Sequence, residues 1–165
     1  WVEEHDFDII KSFGMNTIRL PFDYNLLMSS DSKPFQLKED AWEWLDLAIE
    51  MAKKRDLFII LDMHGAPGRQ SGMDHSGRVG YNKLWSNKSF KEQTVWLWKE
   101  ISKRYKDEPT VAAYDLLNEP WGSNEKDLKK IVLKIYREIR KNNDYRYHCY
   151  RLSWPCRPVG FFWHG

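Results

Sequence analysis

A short apolar run closes on an amide, a carboxylate and a proline in Ala113-Tyr114-Asp115-Leu116-Leu117-Asn118-Glu119-Pro120-Trp121. The apolar run from 111 to 117 has the length of a buried strand, and Pro120 ends it because proline cannot donate to a β-ladder. This pattern predicts that Asn118 and Glu119 lie at the carboxyl end of a strand. The alternative is a surface turn, since asparagine and proline are common in turns and glutamate is usually solvated.

Two earlier segments also place polar groups in or just after a short apolar run. Residues 16–22 form a predicted strand with Arg19 on one face, and residues 57–63 form another that His64 follows. An arginine inside a strand is costly to bury unless a carboxylate accepts its protons. Asp62 has the parity of His64 along the strand, so it is the candidate partner of Arg19.

Segments with helical periodicity alternate with these strands. Helices are predicted over 2–13, 39–55, 89–105 and 125–141, the third opened by a capping box at Ser89-x-x-Glu92. Loops are predicted over 23–38 and 65–87, and a loop as long as the second is usually functional. Alternation of helices and strands predicts the α/β class, with parallel strands joined by right-handed crossovers.

The carboxyl ends of parallel strands lie on one side of a sheet, so four polar residues are expected to become neighbours: Arg19, His64, Asn118 and Glu119. Glu119 is a candidate proton donor, and Asn118 and His64 can hydrogen bond to a substrate hydroxyl. Arg19 can hold a negative charge in place. Each also has a structural alternative, in which Arg19 is a salt-bridged arginine and His64 a satisfied buried histidine.

Tryptophan is unusually frequent, with nine residues among 165. Its large flat ring packs in cores and also stacks on ligands such as sugar rings. Trp85 and Trp121 follow predicted strands and are candidates to line a cleft. Trp42 and Trp44 lie within a predicted helix, where packing is the expected role.

The charge pattern and the remaining motifs argue against several functions. The formal net charge of +2 comes from interspersed acidic and basic residues, so we expect neither a nucleic-acid nor a membrane partner. No apolar run approaches the length of a membrane span. His75 beside Asp74 lacks a metal-ligand spacing, and residues 65–68 lack the Gly-Lys-Ser/Thr of a phosphate loop. We therefore predict no metal and no other cofactor.

The sequence changes character near Asp144. Residues 145–165 contain no Asp or Glu, hold both cysteines and crowd seven aromatic residues between arginines and prolines. We expect no fourth apolar strand here, and we divide the chain into a domain over 1–144 and an atypical tail over 145–165. A reading-frame shift or a cloning junction would produce such a non-native break. An unusual aromatic-rich loop is the alternative.

Three segments taken together resemble family 5 of the glycoside hydrolases, the cellulase family. They are Gly14-Met-Asn-Thr-Ile-Arg-Leu-Pro-Phe22, Ile60-Leu-Asp-Met-His-Gly-Ala-Pro-Gly68 and Tyr114-Asp-Leu-Leu-Asn-Glu-Pro120. The resemblance runs from about residue 1 to residue 143, with the three motifs in order. Residues 64–77 resemble the branch that contains exo-1,3-glucanases and related endoglucanases.

This resemblance implies a partial (β/α)8 TIM barrel over 1–144, covering about strands two to four, from a retaining enzyme that hydrolyses a β-glucan. Glu119 would be the general acid/base, and Asn118 would contact the 2-hydroxyl of the sugar. His64 would bind the sugar at the cleavage point, and Arg19 would position the nucleophile. The resemblance also favours an extracellular or periplasmic location.

The family's nucleophile is a glutamate on the seventh strand, and no carboxylate of this chain occupies the matching position. A whole barrel takes ~250 residues. We therefore expect a fragment that carries the acid/base half of the site and has little or no turnover alone. The alternative is a non-catalytic carbohydrate-binding fragment that uses a cleft lined by Trp85, Trp121, His64 and Asn118. Open edges of the parallel strands also predict self-association. The intact parent is expected to be an endo- or exo-acting enzyme on β-1,4- or β-1,3-glucan.

Overall fold

The computed structural model describes residues 3–30 and 33–149. Its helices are α1 (Glu4–Ser12), α2 (Glu43–Lys53), α3 (Lys88–Tyr105) and α4 (Glu125–Lys141). Its strands are β1 (Thr17–Asp23), β2 (Met28–Ser30), β3 (Lys33–Leu37), β4 (Phe58–Gly65), β5 (Val111–Asp115) and β6 (Tyr147–Cys149).

The main sheet has four strands in the order β1-β4-β5-β6, and every neighbouring pair is parallel. A helix lies in the chain between each successive pair: α2, then α3, then α4. Each connection returns the chain to the next position in the sheet, so the order along the chain and the order in space agree. This confirms the predicted α/β class with parallel strands.

The core lies between the sheet and the apolar faces of the helices. On α4 the buried residues are Leu128, Ile131, Ile135 and Ile139, which recur at the spacing of one helical face. Trp98 of α3 is fully buried, and its ring lies against the rings of Phe22 and Tyr114. Two tryptophans two residues apart cannot share one helical face, and Trp96 instead packs edge-on against Phe35.

Three local predictions were wrong. Residues 23–38 are not a plain loop, because β2 and β3 pair there as an antiparallel hairpin whose Met28 is fully buried. The third helix has no capping box at Ser89, since its N-cap is Asn87, whose side chain accepts from the Ser89 amide at 2.8 Å. The second helix begins at Glu43 rather than at residue 39. In each case a short polar segment had more than one local solution.

The expectation of no fourth strand was also wrong. β6 pairs with β5 in parallel register, with Tyr147 opposite Ala113. Just before it, Arg146 donates hydrogen bonds to the carbonyl groups of Val111 and Glu108. A ladder of main-chain hydrogen bonds does not require an apolar sequence, which is why the pattern gave no signal. Residues 150–165 of the proposed tail lie outside the described residues, so the division at residue 144 stays a prediction.

No helix within residues 3–30 and 33–149 combines the length and the apolar character that crossing a membrane requires.

Candidate active site

Polar side chains from three neighbouring strands meet at the carboxyl side of the sheet. Arg19 lies on β1, Asp62 and His64 lie on β4, and Asp115 ends β5. The parallel register pairs Asp62 with Asp115 directly. Asn118 follows three residues after Asp115, and its amide N–H donates to the carbonyl of Met63 at 3.2 Å. Residues far apart in the sequence therefore form one cluster.

Arg19 is the centre of this cluster. Its Nη1 lies 3.0 Å from Oδ2 of Asp62, while its Nε and Nη2 donate to Oδ2 of Asp115 at 3.0 and 2.7 Å. Nη2 also donates to Oδ1 of Asn118 at 2.9 Å. The guanidinium group is planar and carries five donors, which suits it to several acceptors at once. The predicted pair of Arg19 with Asp62 is confirmed, and Asp115 is a second partner that the sequence pattern did not reveal.

His64 is held between Asp62 and Asn118. Its Nδ1 lies 2.7 Å from Oδ2 of Asp62, and its Nε2 lies 3.3 Å from Nδ2 of Asn118. Arginine can only donate, so the oxygen of the Asn118 amide faces Arg19 and its NH2 group faces His64. Nε2 therefore accepts, and Nδ1 carries the proton that is donated to Asp62.

The surroundings of the Asp62 carboxylate within the cluster shift its pKa. Burial raises the pKa of Asp62 above its usual value, since desolvation disfavours the charged form. The hydrogen bond from His64 and the charge of Arg19 act in the opposite direction, and the nearby Asp115 carboxylate adds to the increase. Asp62 is fully buried, and Asp115 nearly so. Arg19 thus serves first to hold two buried carboxylates together.

Gln70 holds the backbone around the cluster through hydrogen bonds. The sequence pattern did not identify it as a site residue. Its Nε2 donates to the carbonyl groups of His64 at 2.7 Å and Asn118 at 2.8 Å, and its Oε1 accepts from the Ala66 amide at 2.9 Å. The residue is fully buried. One side chain thereby ties the end of β4 to the segment after β5. The only signal in the sequence was its place in the long loop, which does not predict its contacts.

Glu119 lies beside the cluster rather than inside it. Its backbone adopts φ of +40°, in the left-handed region that non-glycine residues rarely occupy. The side chain is 39% exposed, and Oε2 lies 3.7 Å from Nδ1 of His75. Within the described residues its carboxylate makes no hydrogen bond to Arg19, His64 or Asn118. The unusual backbone conformation therefore directs Glu119 toward the long loop over 66–87 and toward solvent.

The two predicted cleft tryptophans differ in their surroundings. Trp85 is partly buried against the core, and its Nε1 donates to the carbonyl of Gln70 at 2.9 Å. Trp121 is 46% exposed, and its amide donates to the carbonyl of Glu119 at 2.8 Å. Trp85 thus supports Gln70, and only Trp121 presents a substantial open ring next to Glu119.

The long loop is fixed to the site by an ion pair beneath it. Arg69, which has φ of +61°, donates to the carboxylate of Asp23 at the end of β1. Gly65 leaves room for this pair, since a Cβ there would lie 2.3 Å from Oδ2 of Asp23 and 2.4 Å from Nη1 of Arg69. Within the described residues no group of three or more His, Cys, Asp or Glu side chains is arranged to hold a metal ion.

An arc of parallel strands with crossover helices and polar side chains at the carboxyl ends of the strands is the architecture of part of a (β/α)8-barrel enzyme. The family model "Cellulase (glycosyl hydrolase family 5)" matches residues 2–149. The chain therefore belongs to glycosyl hydrolase family 5, which confirms the resemblance found in the sequence.

Two relatives with assigned names are glycosidases. The chain is 35% identical over 139 residues to a "Beta-xylosidase" of Phanerodontia chrysosporium, covering 84% of this chain and 29% of the relative. It is 34% identical over 143 residues to a "Glucan 1,3-beta-glucosidase" of Blumeria graminis, covering 85% of this chain and 33% of the relative. The chain thus spans about a third of the length of these relatives.

Solved structures show the same fold. A glycoside hydrolase crystal structure superposes with a TM-score of 0.77 at 23% identity, covering 93% of this chain and 49% of the other. Endoglucanase Cel5A from the hyperthermophilic Thermotoga maritima superposes with a TM-score of 0.72 at 22% identity, covering 93% and 45%. The described sheet therefore corresponds to part of the barrel of these enzymes.

Proposed function

We propose that this chain carries the acid/base half of the active site of a retaining β-glucan hydrolase. One observation carries the proposal: Arg19, His64 and Asn118 form a single hydrogen-bonded cluster at the strand ends, and Glu119 follows Asn118 directly. Membership of family 5 supports glycoside hydrolysis, and the names of the relatives support a β-linked glycan as substrate.

In this proposal Glu119 is the general acid/base. A retaining enzyme needs one carboxyl group that protonates the leaving oxygen and a second that attacks the anomeric carbon, with the two about 5–5.5 Å apart. Glu119 suits the first role because its side chain is partly exposed beside a fixed polar cluster. Asn118 and His64 are assigned to binding sugar hydroxyls, and Arg19 to fixing the charges beneath them.

The attacking carboxylate is proposed to come from outside this chain. Asp62 and Asp115 are the buried carboxylates of the cluster, and both already face the guanidinium of Arg19. Both carboxylates are buried, at 0% and 4% exposure, so neither can reach the anomeric carbon of a sugar. We therefore expect little or no turnover from the 165 residues alone.

The proposed substrate is a β-1,3- or β-1,4-linked glucan. A relative is named for the first linkage, and a superposable structure, XacCel5A, is described in complex with cellopentaose, a β-1,4 oligosaccharide. Both linkages fit the proposed roles of His64 and Asn118, which contact hydroxyl groups of a single sugar.

The test of this proposal uses the complete enzyme that contains this chain, with Glu119→Ala. A variant without its general acid is expected to lose activity on substrates with poor leaving groups by roughly 10²–10⁴-fold. It is expected to keep the first step on an activated aryl β-glucoside, because that leaving group needs no proton. Added azide then restores turnover and gives the β-glycosyl azide. Equal loss on both substrates, or an α-azide, would contradict the assignment.

A second candidate function is non-catalytic binding of oligosaccharides. The exposed ring of Trp121 beside Glu119 favours it, because a flat aromatic surface next to hydrogen-bonding groups suits a sugar ring. Titration of the 165-residue chain with cello- and laminari-oligosaccharides, followed by tryptophan fluorescence, tests it with Trp121→Ala as the control. No change at millimolar sugar would contradict it.

Self-association is proposed as well. β1 is an edge strand of the described sheet, with β4 as its sole partner there. Edge strands can pair between copies. Size-exclusion chromatography at increasing concentration tests this idea, and a monomer at every concentration would contradict it.

A further inference from the structure

A second histidine, His75, faces the proposed acid/base residue. Its Nδ1 lies 3.7 Å from Oε2 of Glu119. Its ring meets that of His64 edge-on, with centroids 6.4 Å apart and an interplanar angle of 83°. The His75 side chain is 21% exposed, so it is more enclosed than the carboxylate it faces. His75 thus links the long loop both to Glu119 and to the cluster.

The turn that carries His75 is held firmly. Residues 74–76 form a single 3-10 turn in which Ser76 is fully buried. Its hydroxyl donates to the carbonyl groups of Ser71 at 2.6 Å and Met73 at 2.9 Å. The His75 amide donates to Oδ1 of Asp74 at 2.9 Å. These bonds fix the backbone from which the imidazole projects toward Glu119.

The surroundings of the two ring nitrogens indicate where the proton of neutral His75 lies. Nε2 is buried and has no hydrogen-bond partner among the described residues. A proton there would be unsatisfied, and it would leave the lone pair of Nδ1 facing the carboxylate. A proton on Nδ1 instead points a donor at an acceptor. The Nδ1–H tautomer is therefore favoured.

We propose that His75 is a positioning residue for Glu119, acting through an Nδ1–H that donates to Oε2. The 3.7 Å separation is just beyond hydrogen-bond reach, and contacts of this kind commonly tighten when substrate binds. With Oε2 engaged, Oε1 is the oxygen that presents a proton to the glycosidic oxygen. After that proton leaves, the carboxylate charge is stabilised by the hydrogen bond that Nδ1–H donates to Oε2. This inference rests on the proposed function of Glu119.

The other charged groups near His75 have partners of their own. His64 is bonded to Asp62, and Asp74 accepts from the backbone of the same turn. Arg69 and Asp23, which lie beneath the turn at Gly77, are paired with each other. Removal of the Glu119 carboxylate should therefore change the ¹⁵N NMR signals of the His75 ring.

The direct test is ¹⁵N NMR of the imidazole of His75 in the 165-residue chain at a mildly alkaline pH. We expect the Nδ1–H tautomer in the unsubstituted chain. In Glu119→Ala the ¹⁵N signal of Nδ1 should move, because the acceptor that faces it is removed. Glu92→Ala is the matched control, because Glu92 faces Lys88 on the surface of α3. The signals of His75 should not change in that variant. An Nε2–H tautomer in the unsubstituted chain would overturn the proposal, and so would an unchanged Nδ1 signal in Glu119→Ala.

A kinetic test uses the complete enzyme and two conservative variants. The side-chain amide of asparagine overlays Nδ1 of histidine, whereas that of glutamine overlays Nε2. His75→Asn is expected to keep kcat within a few-fold, while His75→Gln and His75→Ala lose roughly ten- to a hundredfold in kcat with little change in KM. Equal kcat in all three variants would overturn the positioning role.

The two proposals fail in different ways. If Glu119→Ala hydrolyses unactivated substrates normally, the acid/base assignment is lost. The tautomer of His75 in the unsubstituted chain still shows whether its Nδ1–H faces Glu119. If the tautomer is Nε2–H, His75 does not position Glu119, and the azide experiment still decides the role of Glu119.

Discussion

Nδ1 of His64 and Oδ2 of Asp62 are joined by a 2.7 Å hydrogen bond between residues that project to the same side of β4. The same oxygen lies 3.0 Å from Nη1 of Arg19. One buried carboxylate therefore fixes both the imidazole and the guanidinium at this site. His64, which is proposed to contact the sugar, is thus positioned by a buried group that cannot contact the sugar itself.

Arg19→Met is expected to destabilise the fold strongly. It would leave the buried Asp115 carboxylate without its guanidinium partner and next to Asp62, whose remaining partner is His64. Breaking a buried pair in this way costs about 3–5 kcal/mol. The loss of unfolding free energy, measured by urea denaturation near neutral pH, should fall in this range. Because burial raises the pKa of Asp62, the loss should be smaller at acidic pH, where protonation removes part of the repulsion.

The matched control is Lys53→Met. Lys53 pairs with Glu108 at 3.0 Å, but its side chain is 52% exposed. Exposed pairs of this kind contribute about 0–1 kcal/mol. Similar losses for the two variants would show that Arg19 does not bridge buried carboxylates.

Gln70→Leu tests the support beneath the site. The substitution preserves approximate volume but leaves the carbonyls of His64 and Asn118 and the amide of Ala66 without this partner. Unsatisfied buried groups cost about 1–3 kcal/mol each, so we expect a loss of about 2–4 kcal/mol after partial relaxation. Oligosaccharide binding should weaken as well, because His64 and Asn118 would no longer be tied together.

Gln93→Leu is the control for burial of an amide. Gln93 is also nearly fully buried, but its Nε2 bonds to the Ser89 hydroxyl within the same helix and its Oε1 has no partner among the described residues. A change of at most about 1 kcal/mol is expected. A loss of stability as large as that of Gln70→Leu would show that the hydrogen bonds from Gln70 to His64 and Asn118 add no more than those of any buried amide.

His148 predicts a pH dependence of stability. Burial, followed by the nearby charge of Arg140, lowers its pKa from 6.5 to about 4. Below pH 6.5 the unfolded chain binds a proton that the folded chain does not bind until about pH 4. Stability is therefore lost as the pH falls through this window, by up to about 3 kcal/mol.

His148→Phe removes this titration and keeps a ring that can stack on Tyr114. The difference in unfolding free energy between this variant and the unsubstituted chain should grow as the pH falls from 6.5 to about 4. His5→Phe, at an exposed position on α1, should show no such growth. A constant difference for His148→Phe would contradict the prediction.

The parallel sheet and most of the site could be predicted from local patterns. Apolar runs that close on polar residues located β1, β4 and β5, and strand parity identified Asp62 as the partner of Arg19. Asp115 was missed because its contact depends on the register between two strands, which no local pattern contains. β6 was missed because its residues form no apolar run, and its backbone pairing and the contacts of His148 with Tyr114 are tertiary features.

The long loop over 66–87 supplies two site residues that the sequence did not predict. Gln70 and His75 lie in a segment without periodicity, so their positions follow from turns and long-range hydrogen bonds rather than from spacing. The sequence suggested no role for His75 other than that of a metal ligand. Its contact with Glu119 joins two residues that lie 44 positions apart in the chain, which no local pattern can predict. Tertiary contacts of long loops are the part of a site that sequence patterns describe least.

Gly65→Ala tests whether the loop is fixed by close approach. An added Cβ would fall 2.3 Å from Oδ2 of Asp23 and 2.4 Å from Nη1 of Arg69, far inside van der Waals contact. The ion pair beneath the loop would have to separate or the end of β4 would have to shift, at a cost of about 1–3 kcal/mol. Gly72→Ala, in the same loop, meets its nearest atoms at 3.9 and 4.0 Å and should change stability by less than about 0.5 kcal/mol. Thermal and urea unfolding of the two variants compare the sites directly. Equal losses of stability in the two variants would mean that the Asp23–Arg69 pair separates at little cost in free energy. That pair would then not anchor the loop that carries His75.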